Sequence, residues 1–146
     1  MTFVFCAFNL PRLNLHAQIA LILLLSMGAL LARSRRYRLH GVLQCAVVLL
    51  NLGLILRIML PSFAQQIPAT LPAAWSVSTA TVLLHSFVGA LAWLMAFYVV
   101  LVAGTPLVPR KLRFLNYRLW MRTAFVLWWA AFLLGCAVYY LLYMNR

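Results

Sequence analysis

The sequence contains no aspartate and no glutamate, although it is 146 residues long and carries 12 lysines and arginines. A soluble protein of this length and average composition would have roughly fifteen to twenty carboxylates. Without them the chain has no carboxylate general base, no acidic nucleophile and no carboxylate ligands for Mg²⁺ or Ca²⁺. The cations also lack side-chain counter-ions within the chain. We therefore expect lipid phosphates, acidic groups of a partner or a bound anion to neutralise them.

Several other signals are absent. Cys6, Cys45 and Cys136 are scattered without a CxxC motif, and we interpret them as small apolar residues rather than disulfides or metal ligands. The first 14 residues lack the basic start and the small-residue cleavage site of a secretory signal, so we expect none. The sequence has no glycine-rich phosphate loop, no nucleophile elbow and no His–carboxylate pair. We therefore predict that the protein is not an enzyme.

Apolar residues are abundant instead, at 67% of the chain. A soluble domain of this size cannot bury so much apolar surface, so the composition indicates a membrane protein. Four stretches can each cross about 30 Å of hydrocarbon, at approximately residues 15–32, 41–60, 80–103 and 123–143. The sequence therefore predicts one all-α integral membrane domain. Because the connections are short, its four transmembrane helices should form an antiparallel up-and-down bundle.

The cations are concentrated in the first and third connecting segments, while the Pro-rich second segment has none. Nine cations lie in the first and third segments or at the start of the fourth span: Arg33, Arg35, Arg36, Arg38, Arg110, Lys111, Arg113, Arg118 and Arg122. Only Arg12 and Arg146 belong to the opposite side. The positive-inside rule then places both basic segments in the cytoplasm and both termini outside a bacterial inner membrane. We expect the nine residues to contact anionic lipids or partner subunits rather than nucleic acid.

Small residues recur at helical spacing on three of the spans. The stripes are His85, Gly89, Ala92 and Ala96 in the third span, Trp128, Ala131, Gly135 and Tyr139 in the fourth, and Ala46, Gly53 and Arg57 in the second. Such stripes usually allow helices to pack closely. The alternative is a slot for a flat ligand such as a haem, a quinone or a pigment.

The second span also has a polar face formed by His40, Gln44 and Asn51. Asparagine and glutamine in membrane helices usually form interhelical hydrogen bonds, which we predict here. We assign His40 to the basic loop that faces the lipid headgroups.

His16, His85 and Arg57 should share one layer near the outer surface. They could be separate interfacial residues, with Arg57 snorkelling to the headgroups or pairing with an acid of a neighbouring subunit. Alternatively, His16 and His85 could be the axial ligands of a b-type haem, with Arg57 beside its propionates. We expect no bound cofactor, with haem b as the alternative.

The whole chain resembles an uncharacterised family of four-helix bacterial membrane proteins, domain-of-unknown-function family 420. The similar segments are LPRLNLHAQ followed by Gly28, the basic loop ending in RLH, VLLHSFVGALA, and NYRLWMRTAFVLWW followed by Gly135 and Tyr139. The family tends to have histidines at the outer end of its second span and before its fourth. This chain has LRIM at the first position and Asn116 near the second. Any metal or haem site built on those positions would be lost or altered here.

The resemblance implies association with respiratory membranes, because such proteins are often encoded near haem-copper oxidase components. We therefore predict a non-catalytic accessory subunit of a bacterial electron-transfer complex, respiratory or photosynthetic, that packs against larger subunits and lipid. The alternative is a small membrane protein that binds a b-type haem or a quinone. A channel or transporter is disfavoured because the chain has no acidic ion site and no clear inverted repeat.

Overall fold

A computed structural model of the chain describes residues 2–70, 76–105, 109, 111, 113 and 116–144, and for residues 2–9 and 66–70 it describes the backbone alone. The described residues form helices and no strand. The five α-helices are α1 (Thr2–Arg33), α2 (Tyr37–Leu54), α3 (Leu60–Thr70), α4 (Val77–Gly104) and α5 (Tyr117–Tyr139). A π-helical turn, Ile55–Met59, joins α2 to α3, and a second one, Tyr140–Met144, extends α5.

Four helical segments are long and apolar enough to cross a membrane: Leu10–Arg33, Tyr37–Gln65, Val77–Gly104 and Tyr117–Met144. They confirm the prediction of a multi-pass membrane protein with four spanning helices. Each segment extends beyond the predicted limits at both ends. The apolar run measures only the part of a helix that fits the hydrocarbon, whereas the helix itself continues into the headgroup region.

The second span does not end at Pro61, as the sequence had suggested, but continues as helix to Thr70. Proline has no N–H to donate, and its ring collides with the carbonyl four residues earlier in a regular α-helix. The π-helical turn precedes this proline, and Leu60 donates its backbone N–H to the Ile55 carbonyl, five residues back. The wider turn lets the chain pass Pro61 without breaking the helix. Trp75 and the rest of 71–75 lie outside the described residues.

The turn between α1 and α2 is short and carries a left-handed arginine. Arg35 has φ 59°, a conformation that usually favours glycine. Its N–H bonds the Ala32 carbonyl at 3.1 Å, and the Arg36 N–H bonds the Leu31 carbonyl at 3.0 Å. These two bonds form a Schellman motif, which satisfies the last carbonyls of α1. The basic residues of the turn are thus fixed at one end of the bundle.

The spanning helices form a bundle in which α1 contacts α2 and α5, and α4 contacts α2 and α5. The main cluster of buried apolar residues is small and consists of Leu21, Ile22, Leu25, Val47, Val48 and Trp128. Many large apolar side chains remain exposed, including Val42 (70%) and Phe87 (69%). Such a surface is suited to lipid or to partner helices rather than to water. Cys45 and Cys136 are free thiols and half-buried.

Hydrogen bonds join α1 to α2 along their length. Asn51 Nδ2 donates to Gln18 Oε1 at 3.1 Å, Gln44 Nε2 donates to the Leu25 carbonyl at 3.3 Å, and His40 Nδ1 donates to the Gly28 carbonyl at 2.8 Å. Residue numbers therefore fall along α2 as they rise along α1. The predicted interhelical bonds of Gln44 and Asn51 are present.

His40, in contrast, was wrongly assigned to the loop. It lies in the first turn of α2, is half-buried and bonds α1. Gly28 is buried in this contact, and a Cβ added there would collide with Gln44 Nε2. The glycine therefore allows the close approach of the two helices.

Candidate functional site

A cavity of about 390 Å³ lies among all five α-helices. Its lining residues fall within 11–22 of α1, 51–63 of α2, the π-helical turn and α3, 82–93 of α4, and 128–143 of α5 and its extension. These are the ends of the helices remote from the two basic segments. The volume is within the range of small-molecule sites, about 300–1,000 Å³.

Two of the predicted stripes form part of the cavity wall. His85, Gly89 and Ala92 line it from α4, and Trp128, Ala131, Gly135 and Tyr139 line it from α5. The small side chains leave space here, while the same two helices make close contact beside it. A Cβ added at Gly89 would meet no atom within 4 Å, so the space continues up to that backbone.

His85 is held in the wall by α5. Its Nδ1 bonds the Ala131 carbonyl oxygen at 3.0 Å, and a Cβ at Gly135 would lie 3.0 Å from its Cε1. Because a carbonyl can only accept, Nδ1 must be the protonated nitrogen. In a neutral imidazole, Nε2 then has a free lone pair that can accept a hydrogen bond or bind a metal. Gly135 therefore helps to position the ring.

Three amides form a polar group in the wall, and two of their atoms are unpaired. Gln18 Oε1 accepts from Asn51, but Gln18 Nε2 and Asn14 Oδ1 are buried without a hydrogen-bond partner among the described residues. One is a donor and the other an acceptor, and both residues line the cavity. Sequence reasoning missed both of them. Their spacing of four residues, which places two amides on one face of an apolar helix, is the signal that could have identified them.

Aromatic rings cover much of the wall. Phe63, Trp93, Trp128, Phe132, Tyr139 and Tyr143 all line the cavity. Trp93 is fixed from two sides: it stacks on Phe97 with ring centroids 5.1 Å apart, and its Nε1 donates to the Val48 carbonyl at 3.4 Å. The rings of Tyr139 and Tyr143 are 5.5 Å apart. Rigid aromatic walls of this kind favour a flat apolar ligand.

The structure does not bring His16, His85 and Arg57 together. Only His85 lines the cavity. His16 is exposed, because at 100° per residue it lies on the side of α1 opposite to Asn14 and Gln18. Its ring bonds the Arg12 carbonyl of its own helix at 2.8 Å. Arg57 is exposed within the π-helical turn. Within the described part of the chain, no lysine or arginine lines the cavity.

The outer face of α2 differs from the predicted interior. Ala46, Gly53 and Arg57 are all exposed, and the large apolar residues Leu49 and Leu50 beside them are exposed as well. The opposite face, with Gln44 and Asn51, packs on α1. The stripe of small residues with one arginine therefore faces away from the bundle.

The basic residues predicted to contact lipid or partners are mostly exposed at the other end of the bundle. This holds for Arg33, Arg35, Arg36, Arg38, Lys111, Arg118 and Arg122. Arg113 is half-buried and donates to the carbonyl of Thr105, the C-cap residue of α4, at 3.2 Å. Arg110 and Arg146 lie outside the described residues. Arg113 thus also has a structural role, because it satisfies a helix-terminal carbonyl.

The described residues contain no group of three histidines and cysteines placed to hold a metal ion. No protein-family model matches the chain, and neither a curated protein nor a solved structure is detectably similar to it. The resemblance to family 420 accordingly stays a prediction. The geometry offers two features for function: the neutral aromatic cavity and the exposed face of α2.

Proposed function

We propose that the protein is a non-catalytic accessory subunit of a bacterial electron-transfer membrane complex, respiratory or photosynthetic. The observation that supports this most directly is Arg57, which is exposed in the π-helical turn that follows α2, within a spanning helix. An arginine facing hydrocarbon costs about 2.5–3.5 kcal/mol near the middle of the membrane and less towards its edge. A residue with that cost needs a compensating contact.

The chain itself cannot supply a side-chain counter-ion, because it contains no aspartate or glutamate. A second copy of the same chain cannot supply one either. The remaining sources are an acidic side chain on another subunit, a lipid phosphate and a bound anion. Ala46 and Gly53, exposed on the same helix, would allow a partner helix to approach closely. We therefore place the docking surface for a larger subunit on this face, with an acidic side chain opposite Arg57.

We further propose an antiparallel up-and-down arrangement in the bacterial inner membrane, with both termini outside. The falling residue numbers along α2 against α1 support the antiparallel pairing of that helix pair. The nine cations of the basic segments support a cytoplasmic position for that end. In this orientation Arg57 and the cavity lie in the outer half of the membrane. The basic end would then meet anionic lipid or acidic partner surfaces.

The assignment to electron transfer depends on the resemblance to family 420. The lack of carboxylates is consistent with a supporting role, because proton relays in membrane pumps usually use such groups. A subunit of this kind would contribute packing and assembly, while the larger subunits would carry the redox centres.

Purification of the tagged chain from native membranes tests the proposal. We expect haem-containing or pigment-containing subunits to co-purify with the wild type and with Arg57→Lys, and to be lost with Arg57→Gln. Arg12→Gln is the matched control, because it removes one exposed arginine on α1, away from the proposed docking surface. Extraction of the wild type as a stable monomer without redox subunits would contradict the proposal. Retention of those subunits by Arg57→Gln would contradict the role of Arg57.

A further inference from the structure

We propose that the cavity binds the head group of a quinone and of the corresponding quinol. This is independent of the docking surface on α2, because Ala46, Gly53 and Arg57 do not line the cavity. The ligand is identified by three properties of the described residues in the wall: their aromatic rings, one unpaired donor with one unpaired acceptor, and the absence of lysine and arginine.

The shape favours a flat ring with an apolar tail. The cavity has about 390 Å³ of space, six aromatic side chains around it, and a bare backbone at Gly89. Offset stacking of a ligand ring on tryptophan or phenylalanine stabilises such a complex beyond the burial of area. The lining residues lie within the membrane-spanning segments, so a ligand that partitions into lipid is concentrated at the depth of the cavity.

The polar atoms match both redox forms of such a ring. Gln18 Nε2 is a buried donor without a partner among the described residues, and a quinone carbonyl oxygen is an acceptor. Asn14 Oδ1 is a buried acceptor that likewise has no partner in the described part of the chain, and a quinol hydroxyl is a donor. His85 Nε2 is a second acceptor in the wall, because Nδ1 is committed to the Ala131 carbonyl. An unpaired buried polar atom has lost its hydrogen bonds to water, so a ligand that satisfies it binds more tightly.

The lack of charge argues against other flat or lipid-like ligands. A haem carries two propionates and a phospholipid carries a phosphate, and such anions require paired cations when they are buried. None of the described residues that line the cavity is a lysine or an arginine, and His85 is the only histidine among them. A neutral quinone or quinol needs no such partner.

Quenching of tryptophan fluorescence measures the binding, because Trp93 and Trp128 line the cavity. The purified full chain in phosphatidylcholine nanodiscs is titrated with ubiquinone-1, a quinone with a short tail. We expect saturable quenching that Gly89→Leu abolishes by filling the open space. Gly41→Leu is the matched control, because a Cβ there also meets no atom within 4 Å and this residue does not line the cavity.

Two amide substitutions test the hydrogen bonds. Gln18→Leu should weaken binding of the quinone about two- to tenfold, the range for one hydrogen bond. Gln65→Leu, the same change at an exposed residue, should leave it unchanged. Asn14→Leu should weaken binding of dithionite-reduced ubiquinone-1 more than binding of the oxidised form. These substitutions keep the test valid even if Gly89→Leu does not fold.

Three results would overturn the proposal. The first is quenching that rises linearly with quinone and is equal in all variants, because it reports partition into lipid. The second is native mass spectrometry that shows a retained phospholipid which ubiquinone-1 does not displace. The third is equal affinity of the wild type and Gln18→Leu, because the cavity amide would then contact only water.

Discussion

Replacement of Gly28 by alanine should reveal how closely α1 and α2 are fitted together. The added Cβ would collide with Gln44 Nε2 and lie 3.1 Å from its Cδ. The Gln44 side chain must then move and give up its bond to the Leu25 carbonyl. A displaced buried amide costs about 1–3 kcal/mol. Against this, alanine in place of glycine stabilises a helix by about 1 kcal/mol. We expect Gly28→Ala to lower the free energy of unfolding by up to about 2 kcal/mol.

A double-mutant cycle isolates this contact. With Gln44→Ala already present, Gly28→Ala should stabilise the protein by about 1 kcal/mol, because the collision is gone and the gain in helix propensity remains. The coupling energy is then about 1–3 kcal/mol. The measurement is SDS-induced unfolding of the protein from mild detergent, followed by circular dichroism. Gly41→Ala is the control, since it has open space and should stabilise. Equal stabilisation by Gly28→Ala and Gly41→Ala would refute the reasoning.

Three further predictions use the same unfolding assay. Arg35→Gly should stabilise the protein by about 1 kcal/mol because it relieves the left-handed backbone, whereas Arg36→Gly, at φ −84°, should not; equal effects would contradict this. Asn116→Ala should destabilise by about 1 kcal/mol because it removes the N-cap of α5, and Asn116→Ser should restore the stability; no difference between them would show that the cap is dispensable. Gly135→Val should destabilise by about 1–3 kcal/mol because it displaces the His85 ring, and a neutral effect would show that the ring can move freely.

The four spanning helices could be predicted because apolar length alone decides whether a segment crosses a membrane. The helix ends could not, because arginine and tyrosine fit a helix in the headgroup region as well as a loop. His40 shows the consequence: the assumed loop is the first turn of α2, and its histidine reaches Gly28.

Helical spacing identified the faces of each span but not the neighbours of those faces. The stripes of α4 and α5 meet at the cavity, as one of the two interpretations allowed. The stripe of the second span also contains small residues, but it faces outward. His16 and His85 have similar depths by residue count, but their directions around their helices differ. Periodicity fixes an angle on one helix, and only packing fixes which helix lies at that angle.

The π-helical turn at Ile55–Met59 changes the direction in which the side chains after it point around the helix axis. A π turn holds one more residue than an α turn, so everything after it is rotated by nearly a full residue step of 100° relative to a straight helix. The angle around the helix axis between Asn51 and residues Ser62 and Phe63 therefore differs from that in a straight α-helix, and all three residues line the cavity. Deletion of one residue within 55–59 would therefore restore a straight α-helix and leave α3 facing the cavity, because the π turn accommodates one extra residue. An alignment with a straight-helix relative should accordingly place a one-residue gap there.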